Sequence, residues 1–329
     1  MGFGGNSRTA YAARRIAQGV LVILGIVVAN FLLLHLAPGD AVDVLAGESG
    51  SATPEFLAHL RQQFGLDQPL HVQLLVYIKN ILSLDLGYSF RHNAPVLTLI
   101  LTRLGPTLLL MGTTIVISIG FGILLGLFAA SRPNSWRDNL ISVLALLSYA
   151  TPLFWVGLML MLIFAIELGW LPTNGMEDVA AFYTGWEAVG DVARHLVLPA
   201  LTLSLFYLAL YVRLMRSAVL EQSGKDYVTT ARAKGLTERH ILFGHILRNA
   251  CLPVVTIAGV QIGNLIGGSV IVESVFAWPG FGMLAFEALV TRDLNLLMGI
   301  FFISACLVVG VNILVDLLYA FLDPRIVVR

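Results

Sequence analysis

The sequence has few charged residues and few cysteines, and both shortages restrict its class. Asp, Glu, Lys and Arg make up 12% of its 329 residues, whereas a soluble domain carries roughly 25%. The mean hydropathy of +0.85 points the same way, so we exclude a soluble globular domain and expect an integral membrane protein. Cys251 and Cys306 lie in separate apolar segments, a spacing that indicates neither a disulfide nor a metal site.

Motifs of catalysis and metal binding are missing as well. No His-Glu-x-x-His, Cys-x-x-Cys or Gly-x-Ser-x-Gly pattern occurs, and no His-rich cluster suits a metal. The only Gly-Lys pair, Gly224-Lys225, follows Val219 where a phosphate loop requires glycine and precedes Asp226 where it requires Ser or Thr. We therefore expect no active site in this chain and no cofactor or metal bound by it.

What the sequence does contain is a series of long apolar runs, each near the ~20 residues that cross a bilayer as a helix. The first run, Ile16–Leu36, is longer than the ~7–15-residue core of a signal peptide, and no small-residue cleavage site follows promptly. This favours a permanent span. The sequence predicts an all-α, polytopic membrane protein with six transmembrane helices, at about residues 16–36, 105–130, 139–168, 196–218, 250–272 and 296–321.

The distribution of basic residues predicts the orientation of these spans. With the N-terminus inside, the cytoplasmic segments hold 14 of the 20 Lys and Arg residues but only 6 of the 20 Asp and Glu residues. The outer segments hold the remaining 6 basic and 14 acidic residues. Because cytoplasmic loops carry the excess of Lys and Arg, both termini are predicted to be cytoplasmic.

The outer loop at residues 37–104 is too long for a simple connector and is predicted to hold a small folded region. Pro54 marks the start of a short helix, and Gly65 is expected to end it. A second amphipathic helix is predicted from about Pro69 to Leu82. In the third outer loop, a short helix at Met283–Val290 is expected to dip into the membrane and return.

A charged segment separates the fourth and fifth spans, and residues 221–249 form a predicted cytoplasmic loop. Its centre favours a short helix that ends at Gly235, because glycine readily adopts the left-handed conformation that terminates helices. Thr237 is expected to cap a second helix, with Glu238 in its first turn. We call these two helices, joined at Gly235, the elbow.

The composition of the elbow predicts a surface that another protein binds. Small residues at Ala231, Ala233 and Gly235 allow it to enter a cleft on a partner. Arg232 and Lys234 are expected to pair with acidic residues at the rim of that cleft. The chain is therefore expected to be one subunit of a larger assembly.

The fifth span allows two interpretations. Gly259, Gly263 and Gly267 share one helix face, a pattern typical of close helix packing in lipid. Alternatively the span lines a translocation path, with Gln261 and Asn264 as polar side chains at membrane depth.

Three residues after this span, Glu273, Phe276 and Trp278, are further candidates for the translocation path or an outer gate. The alternatives for Glu273 are a solvated helix end and hydrogen bonding between helices. For Phe276, Trp278 and Phe281 it is a belt of aromatic residues at the membrane interface.

Arginines near the inner ends of the spans also allow two interpretations. Arg213 and Arg216 share a face of the fourth span, and either extend toward lipid headgroups or contact the elbow. Asp316 is expected to pair with an arginine of this kind or to cap a loop.

The elbow resembles a loop found in a known family. TARAKGL (230–236) followed by RNACLPVV (248–255) is similar to the cytoplasmic "EAA" loop of ATP-binding-cassette importer permeases. Thr229, Thr230 and Ala231 occupy the triplet, so its usual glutamate is missing, while Gly235 matches. Leu252-Pro253 lies farther along than in sugar permeases, as in the branch for dipeptides, oligopeptides and nickel.

The resemblance extends over nearly the whole chain and is closest to the first of the two permease subunits of that branch. Several further motifs occur in the family's order: LAPGD (36–40), FGLDQPL (64–70), DLGYSF (85–90), VESVFAWPGFG (272–282) and VDLLYAFLDPR (315–325). Residues 1–329 then form a single transmembrane domain.

The resemblance implies a permease subunit, itself not an enzyme, that translocates di- or oligopeptides across a bacterial inner membrane. It implies a second homologous permease, two cytoplasmic ATPase subunits that bind ATP and Mg²⁺, an extracytoplasmic substrate-binding protein and surrounding lipid, with no nucleic acid. The implied ATPase-coupling residues are Thr229, Thr230, Ala231, Arg232, Ala233, Lys234 and Gly235.

Other functions remain as alternatives. The same architecture is compatible with import of nickel, glutathione, a modified sugar or another small solute. A self-contained secondary transporter predicts inverted repeats and buried ionisable residues near mid-bilayer, and neither is clear in the sequence. An intramembrane enzyme requires a catalytic pair at membrane depth, which the sequence does not offer.

Overall fold

The computed structural model describes residues 5–36, 54–63 and 66–322, and these residues are mainly helical. The first elements are α1 (Gly5–Leu36), α2 (Pro54–Gln63), α3 (Leu70–Leu82), β1 (Tyr88–Ser89), β2 (Ala94–Pro95), α4 (Val96–Ala130), α5 (Trp136–Ala150) and α6 (Leu153–Leu160), which a π-helical segment (Met161–Glu167) extends. The later elements are α7 (Trp186–Ser223), α8 (Asp226–Ala233), α9 (Glu238–Ile241), a second π-helical segment (Leu242–Ile246), α10 (Leu247–Gly268), α11 (Val270–Val275), α12 (Phe281–Val290) and α13 (Leu294–Leu322).

Long apolar helices confirm the predicted all-α membrane class. Within the described part of the chain, five helices are long and apolar enough to cross a bilayer: Ala13–Leu33, Val96–Ala130, Trp186–Ser223, Glu238–Gly259 and Leu294–Asp316. A bent helix pair in the region of the third predicted span brings the number to six if it is counted as one span. The placement of the two termini stays a prediction.

The third predicted span, residues 139–168, is broken and not a single straight helix. Its two halves, Trp136–Ala150 and Leu153–Glu167, are bent by 105° at the break. Thr151 and Pro152 have extended backbones there, with ψ of 134° and 131°. Proline disfavours helical geometry in the residue before it and has no N–H to donate, so Pro152 ends one helix and starts the next.

The short helices predicted in the outer loops are confirmed. One starts at Pro54, and Leu70–Leu82 matches the second amphipathic pattern. The helix predicted at Met283–Val290 begins two residues earlier, at Phe281. The expected helix stop at Gly65 and the motif at 36–40, except for Leu36, lie outside the described residues.

The chain divides into two compact units, one containing the described residues up to Gly105 and from Phe281 onward, the other Pro106–Gly280. The prediction of one transmembrane domain over residues 1–329 stays a prediction. In the first unit α1 packs along α13, where a methyl group on Gly19 would lie 2.8 Å from side-chain carbons of Val309 and Ile313.

Polar contacts complete the first unit. Arg15 Nε lies 3.2 Å from Asp316 Oδ2, so the predicted pairing of Asp316 with an arginine is confirmed, with an arginine of the first helix. The β1–β2 hairpin is held by Ser89 Oγ, which donates to Asp293 Oδ2, and by Asn295 Nδ2, which donates to Tyr88 O at 3.1 Å.

In the second unit α7 lies at the centre of the core, and two glycines let α4 approach it closely. A methyl group on Gly126 would lie 2.7 Å from Met215 Cβ and 2.8 Å from the Val212 carbonyl oxygen. One on Gly122 would collide with Tyr211 Cβ. In lipid, where no hydrophobic effect drives helices together, helices associate through faces of small residues. In this unit the face of small residues belongs to α4.

The glycine face predicted on the fifth span stays a prediction. Gly259 is buried in α10, whereas the surroundings of Gly263 and Gly267 lie outside the described residues.

An ion pair joins α5 to α7 in the same unit. Arg216 Nε and Nη2 donate to the two carboxylate oxygens of Asp138 at 2.6 and 2.7 Å. Asp138 is buried and also accepts from the Asn134 N–H at 2.9 Å. Arg216 therefore has an acidic partner within the unit, which neither interpretation offered by the sequence included; its contact with the elbow or with lipid headgroups stays a prediction. The Arg213 guanidinium lies 5.8 Å from the centre of the Tyr149 ring.

Replacing Arg216 with methionine is expected to destabilise the protein more than replacing Asp138 with asparagine. Arg216→Met leaves a buried carboxylate without its cation, whereas Asp138→Asn leaves an arginine whose side chain is 29% exposed and can reach water. Breaking a buried pair costs ~3–5 kcal/mol and an exposed one ~0–1 kcal/mol. Because this pair is intermediate, we expect a loss of about 2 kcal/mol for Arg216→Met.

Thermal unfolding in detergent checks this expectation, with the double variant Arg216→Met/Asp138→Asn as the matched control. The double variant should recover part of the loss, because it removes the unpaired charge. Equal melting temperatures for Arg216→Met and the unmodified protein would contradict the assignment.

Candidate functional site

The elbow is mounted on the end of α7, with one face in the core and the other face open. Val228 and Ala231 on α8 are buried. Thr229, Thr230 and Ala233 are exposed on the same helix. Because residues three and four apart share a helix face, these small side chains form one continuous outward stripe.

The helix α8 ends at Gly235 as the sequence predicts. Gly235 has φ of +78°, in the left-handed region, and its N–H donates to Arg232 O at 2.9 Å. The next N–H, of Leu236, donates to Ala231 O at 3.3 Å. No atom lies within 4 Å of a methyl group placed on Gly235. The requirement for glycine is therefore conformational, because neighbouring atoms leave room for a side chain.

The second half of the elbow also follows the prediction. The side chain of Thr237 caps α9 by accepting from the His240 N–H at 3.4 Å. Glu238 lies in the first turn, where it complements the positive end of the helix dipole.

The structure gives Arg232 a partner within the chain. Its Nε and Nη2 donate to the Glu238 carboxylate at 2.7 and 3.1 Å, across the turn at Gly235. The hydrogen bonds that the Arg232 guanidinium donates to this carboxylate raise the pKa of the guanidinium. Arg232 therefore closes the elbow internally, and its expected pairing with an acid of a partner stays a prediction. Among the described residues, no acid lies within ion-pair distance of Lys234, which remains available to a partner.

The attachment of the elbow to α7 is the feature that sequence reasoning missed. Val228 and Ile241 enter the same buried cluster as Met215 and Val219 of α7. Tyr227 Oη donates to Gln222 Oε1 at 2.9 Å. The sequence signal for this attachment was the presence of isolated apolar residues in the otherwise polar elbow. Both elbow helices are therefore anchored in the same core as the end of α7.

The candidates for a translocation path or gate lie apart from the elbow along the chain, and three of them form a buried turn. Glu273, Phe276 and Trp278 are all buried. Glu273 accepts a hydrogen bond from Thr107 Oγ1 at 2.8 Å, and Trp278 Nε1 donates to Pro106 O at 3.0 Å.

This burial corrects two of the alternatives offered by the sequence. Glu273 does not lie at a solvated helix end, and the rings of Phe276, Trp278 and Phe281 do not form an interfacial belt, since all of them are buried. These residues are buried because segments distant along the chain pack against them. For example, Phe276 packs so closely on Gly157 that a methyl group there would lie 3.2 Å from Phe276 Cε2.

The remaining path candidates lie on α10. Gln261 is half-buried, and the side chain of Asn264 lies outside the described residues. A gate or path role for these five residues stays a prediction. Across the described residues, no group of three or more His, Cys, Asp or Glu side chains is placed to hold a metal ion.

Comparison with known families gives two matches that together cover most of the chain. The model described as "Binding-protein-dependent transport system inner membrane component" matches residues 122–328. The model for the N-terminal part of such membrane components matches residues 9–111.

Named relatives align over almost their full length. A putative peptide permease protein of Brucella ovis is 43% identical over 317 residues, which covers 96% of this chain and 98% of that protein. The oligopeptide transport system permease protein AppB of Bacillus subtilis is 39% identical, covering 96% and 99%. The dipeptide transport system permease protein DppB of Alkalihalophilus pseudofirmus is 36% identical, again covering 96% and 99%.

A solved structure shares the fold. An inward-facing conformation of the MetNI methionine ABC transporter matches with a TM-score of 0.54 and 16% sequence identity, covering 70% of this chain and 97% of that chain. At this identity the likeness concerns the fold alone.

Proposed function

The chain belongs to the inner membrane components of binding-protein-dependent transport systems and is a permease subunit of an ABC importer; we propose that it conducts di- and oligopeptides. The names of the aligned relatives, which refer to peptides, dipeptides and oligopeptides, support this substrate class. Nickel or glutathione import has no comparable support, and a self-contained secondary transporter does not fit a family of binding-protein-dependent components.

The elbow is the proposed coupling surface, and its construction carries the proposal. It presents an open stripe of small side chains on one face and is fixed to α7 on the other. Such a surface can transmit motion, because a partner that binds the stripe and moves would displace α7 with it. Thr229, Thr230, Ala233 and Lys234 meet the partner, while Ala231, Arg232 and Gly235 hold the elbow in shape.

The proposed assembly contains this permease, a second homologous permease, two cytoplasmic ATPases and an extracytoplasmic substrate-binding protein. ATP and Mg²⁺ are bound by the ATPases, and this chain performs no bond chemistry and binds no cofactor. The assembly lies in the bacterial cytoplasmic membrane, with the elbow on the cytoplasmic side. Gln261 and Asn264 on α10 are the proposed contributors to the translocation path.

Placing a large side chain on the exposed stripe is expected to prevent the ATPases from binding. Ala233 is exposed on the stripe, so Ala233→Trp fills the space that a partner must occupy. We expect the amount of ATPase that co-purifies with the tagged permease to fall about tenfold or more, as for the loss of a central interface contact. Co-expression with the ATPases of the same transport system, followed by affinity purification, measures this.

Arg132→Trp is the matched control, because Arg132 is also exposed but lies in the loop between α4 and α5. It should leave ATPase recovery unchanged. Failure of the unmodified permease to retain any ATPase, or full peptide uptake by the permease alone, would overturn the proposed function.

A further inference from the structure

An exposed apolar patch lies at the opposite end of α7 from the elbow. It consists of Val179, Phe182 and Trp186, residues that are 75%, 84% and 88% exposed. Phe182 also has φ of +50°, a conformation that an aromatic residue rarely adopts. We call these three residues the outer patch.

Hydrogen bonds hold the segment that carries the outer patch against α7. Asp178 N–H donates to Asp191 Oδ2 on α7 at 2.6 Å, and Ala180 N–H donates to Asp178 Oδ1 at 3.0 Å. Asp191 in turn lies 3.3 Å from His195 Nδ1. Internal hydrogen bonds thus fix the turn against α7 while its large apolar side chains face outward. Such an arrangement favours a binding partner over water.

The position of charged residues on α7 argues against lipid as that partner. Arg194 is exposed eight residues after Trp186, about 12 Å farther along the helix at 1.5 Å per residue. If Trp186 lay at the membrane interface, Arg194 would lie in hydrocarbon, at a cost of ~2.5–3.5 kcal/mol near the bilayer centre. With its 38 residues, α7 is also longer than the ~20 residues that a span requires. The outer patch therefore projects beyond the headgroups.

The charges around the outer patch indicate the chemistry of a protein partner. Glu177 and Glu187 are exposed on either side of it. A complementary surface therefore has an apolar pocket with basic residues at its rim. Aromatic anchors that enter such pockets commonly provide most of the binding energy at an interface.

We propose that the outer patch is the docking anchor for the extracytoplasmic substrate-binding protein of this transport system, with Phe182 and Trp186 inserted into a basic-rimmed apolar pocket. This inference rests on the proposed function, in which the elbow is cytoplasmic and the far end of α7 extracytoplasmic. The family is defined by dependence on a binding protein, which supplies a partner on that side.

The test uses the complete transporter in nanodiscs and the binding protein of the same system as the probe. Phe182→Ser/Trp186→Ser should weaken binding-protein affinity about tenfold or more, the effect of losing anchor residues, and leave basal ATPase activity unchanged. Glu177→Lys/Glu187→Lys should also weaken binding and reverse its dependence on salt. Trp136→Ser is the control, since Trp136 is 69% exposed at the start of α5.

The outcomes separate this inference from the function on which it rests. If the unmodified transporter binds no binding protein, the proposed function fails and the docking site with it. If it binds, and Phe182→Ser/Trp186→Ser binds equally well, only the docking site is overturned. Quenching of Trp186 fluorescence by brominated lipids without binding protein, measured against Trp186→Phe, would assign the patch to the membrane and also overturn it.

Discussion

Replacing Gly126 with leucine is expected to prevent α4 from packing on α7 and to abolish folded permease. Even the first carbon of a side chain would lie 2.7 Å from Met215 Cβ, 2.8 Å from Val212 O and 3.1 Å from Arg216 N. Two of these three atoms belong to the backbone of α7, so rotation of a side chain cannot relieve the overlap. Alanine at this position should therefore cost about 1–3 kcal/mol, the usual range for overpacking, and leucine more.

Gly120 provides the control on the same helix, because no atom lies within 4 Å of a methyl group placed there. Gly120→Ala removes one glycine from the helix interior and should be neutral or slightly stabilising. Melting temperatures of Gly120→Ala, Gly126→Ala and Gly126→Leu in detergent give the comparison. Equal stability of the two alanine variants would show that α4 and α7 do not meet as described.

The glycines of α4 also show where sequence reasoning reaches its limit. Gly122 and Gly126 are four residues apart, and so are Gly259, Gly263 and Gly267, so both helices carry the same pattern. The pattern predicts that a helix can be approached closely but does not say which neighbour approaches. That choice depends on the order in which the spans pack, which no local pattern encodes.

Glu273 illustrates the same limit for a polar residue. The sequence places it at the end of a span, where exposure to solvent and a hydrogen bond between helices were both open alternatives to a role in the path. Its hydrogen-bond donor, Thr107, is 166 residues away along the chain. Burial of a carboxylate requires such a partner, and a partner so distant cannot be recognised without the fold.

The elbow was predictable because its signals are local. A glycine after a short helix, a threonine before the next and an acidic residue in its first turn each act within a few residues, and all three have the expected geometry. The Arg232–Glu238 pair spans only six residues, yet the sequence suggested a partner for Arg232 outside the chain. A charged residue in a short turned segment is as close to its own chain as to any partner, so composition alone cannot decide between them.

The second large effect is expected at Gly235, where valine should uncouple ATP hydrolysis from peptide import while the chain stays in the membrane. A left-handed backbone costs a residue with a side chain about 1–3 kcal/mol, and a β-branched residue is among the least tolerant. Valine therefore shifts the turn toward other conformations, and the hydrogen bonds between Arg232 and Glu238 then lose their geometry. If the native turn becomes less favourable by about 1.4 kcal/mol, the fraction of molecules with a correctly shaped elbow falls tenfold. We therefore expect the number of peptides imported per ATP hydrolysed to fall by about that factor.

Asparagine at Gly235 is the matched control, because it has a side chain of similar size but tolerates the left-handed conformation. There is space for either side chain, since no atom lies within 4 Å of the first carbon. Proteoliposomes containing the complete importer allow peptide uptake and ATP hydrolysis to be measured together. Uptake per ATP should be low for Gly235→Val and close to normal for Gly235→Asn. If both variants fail equally, the partner itself contacts Gly235 and the backbone explanation is wrong; if both transport normally, the elbow does not carry the coupling.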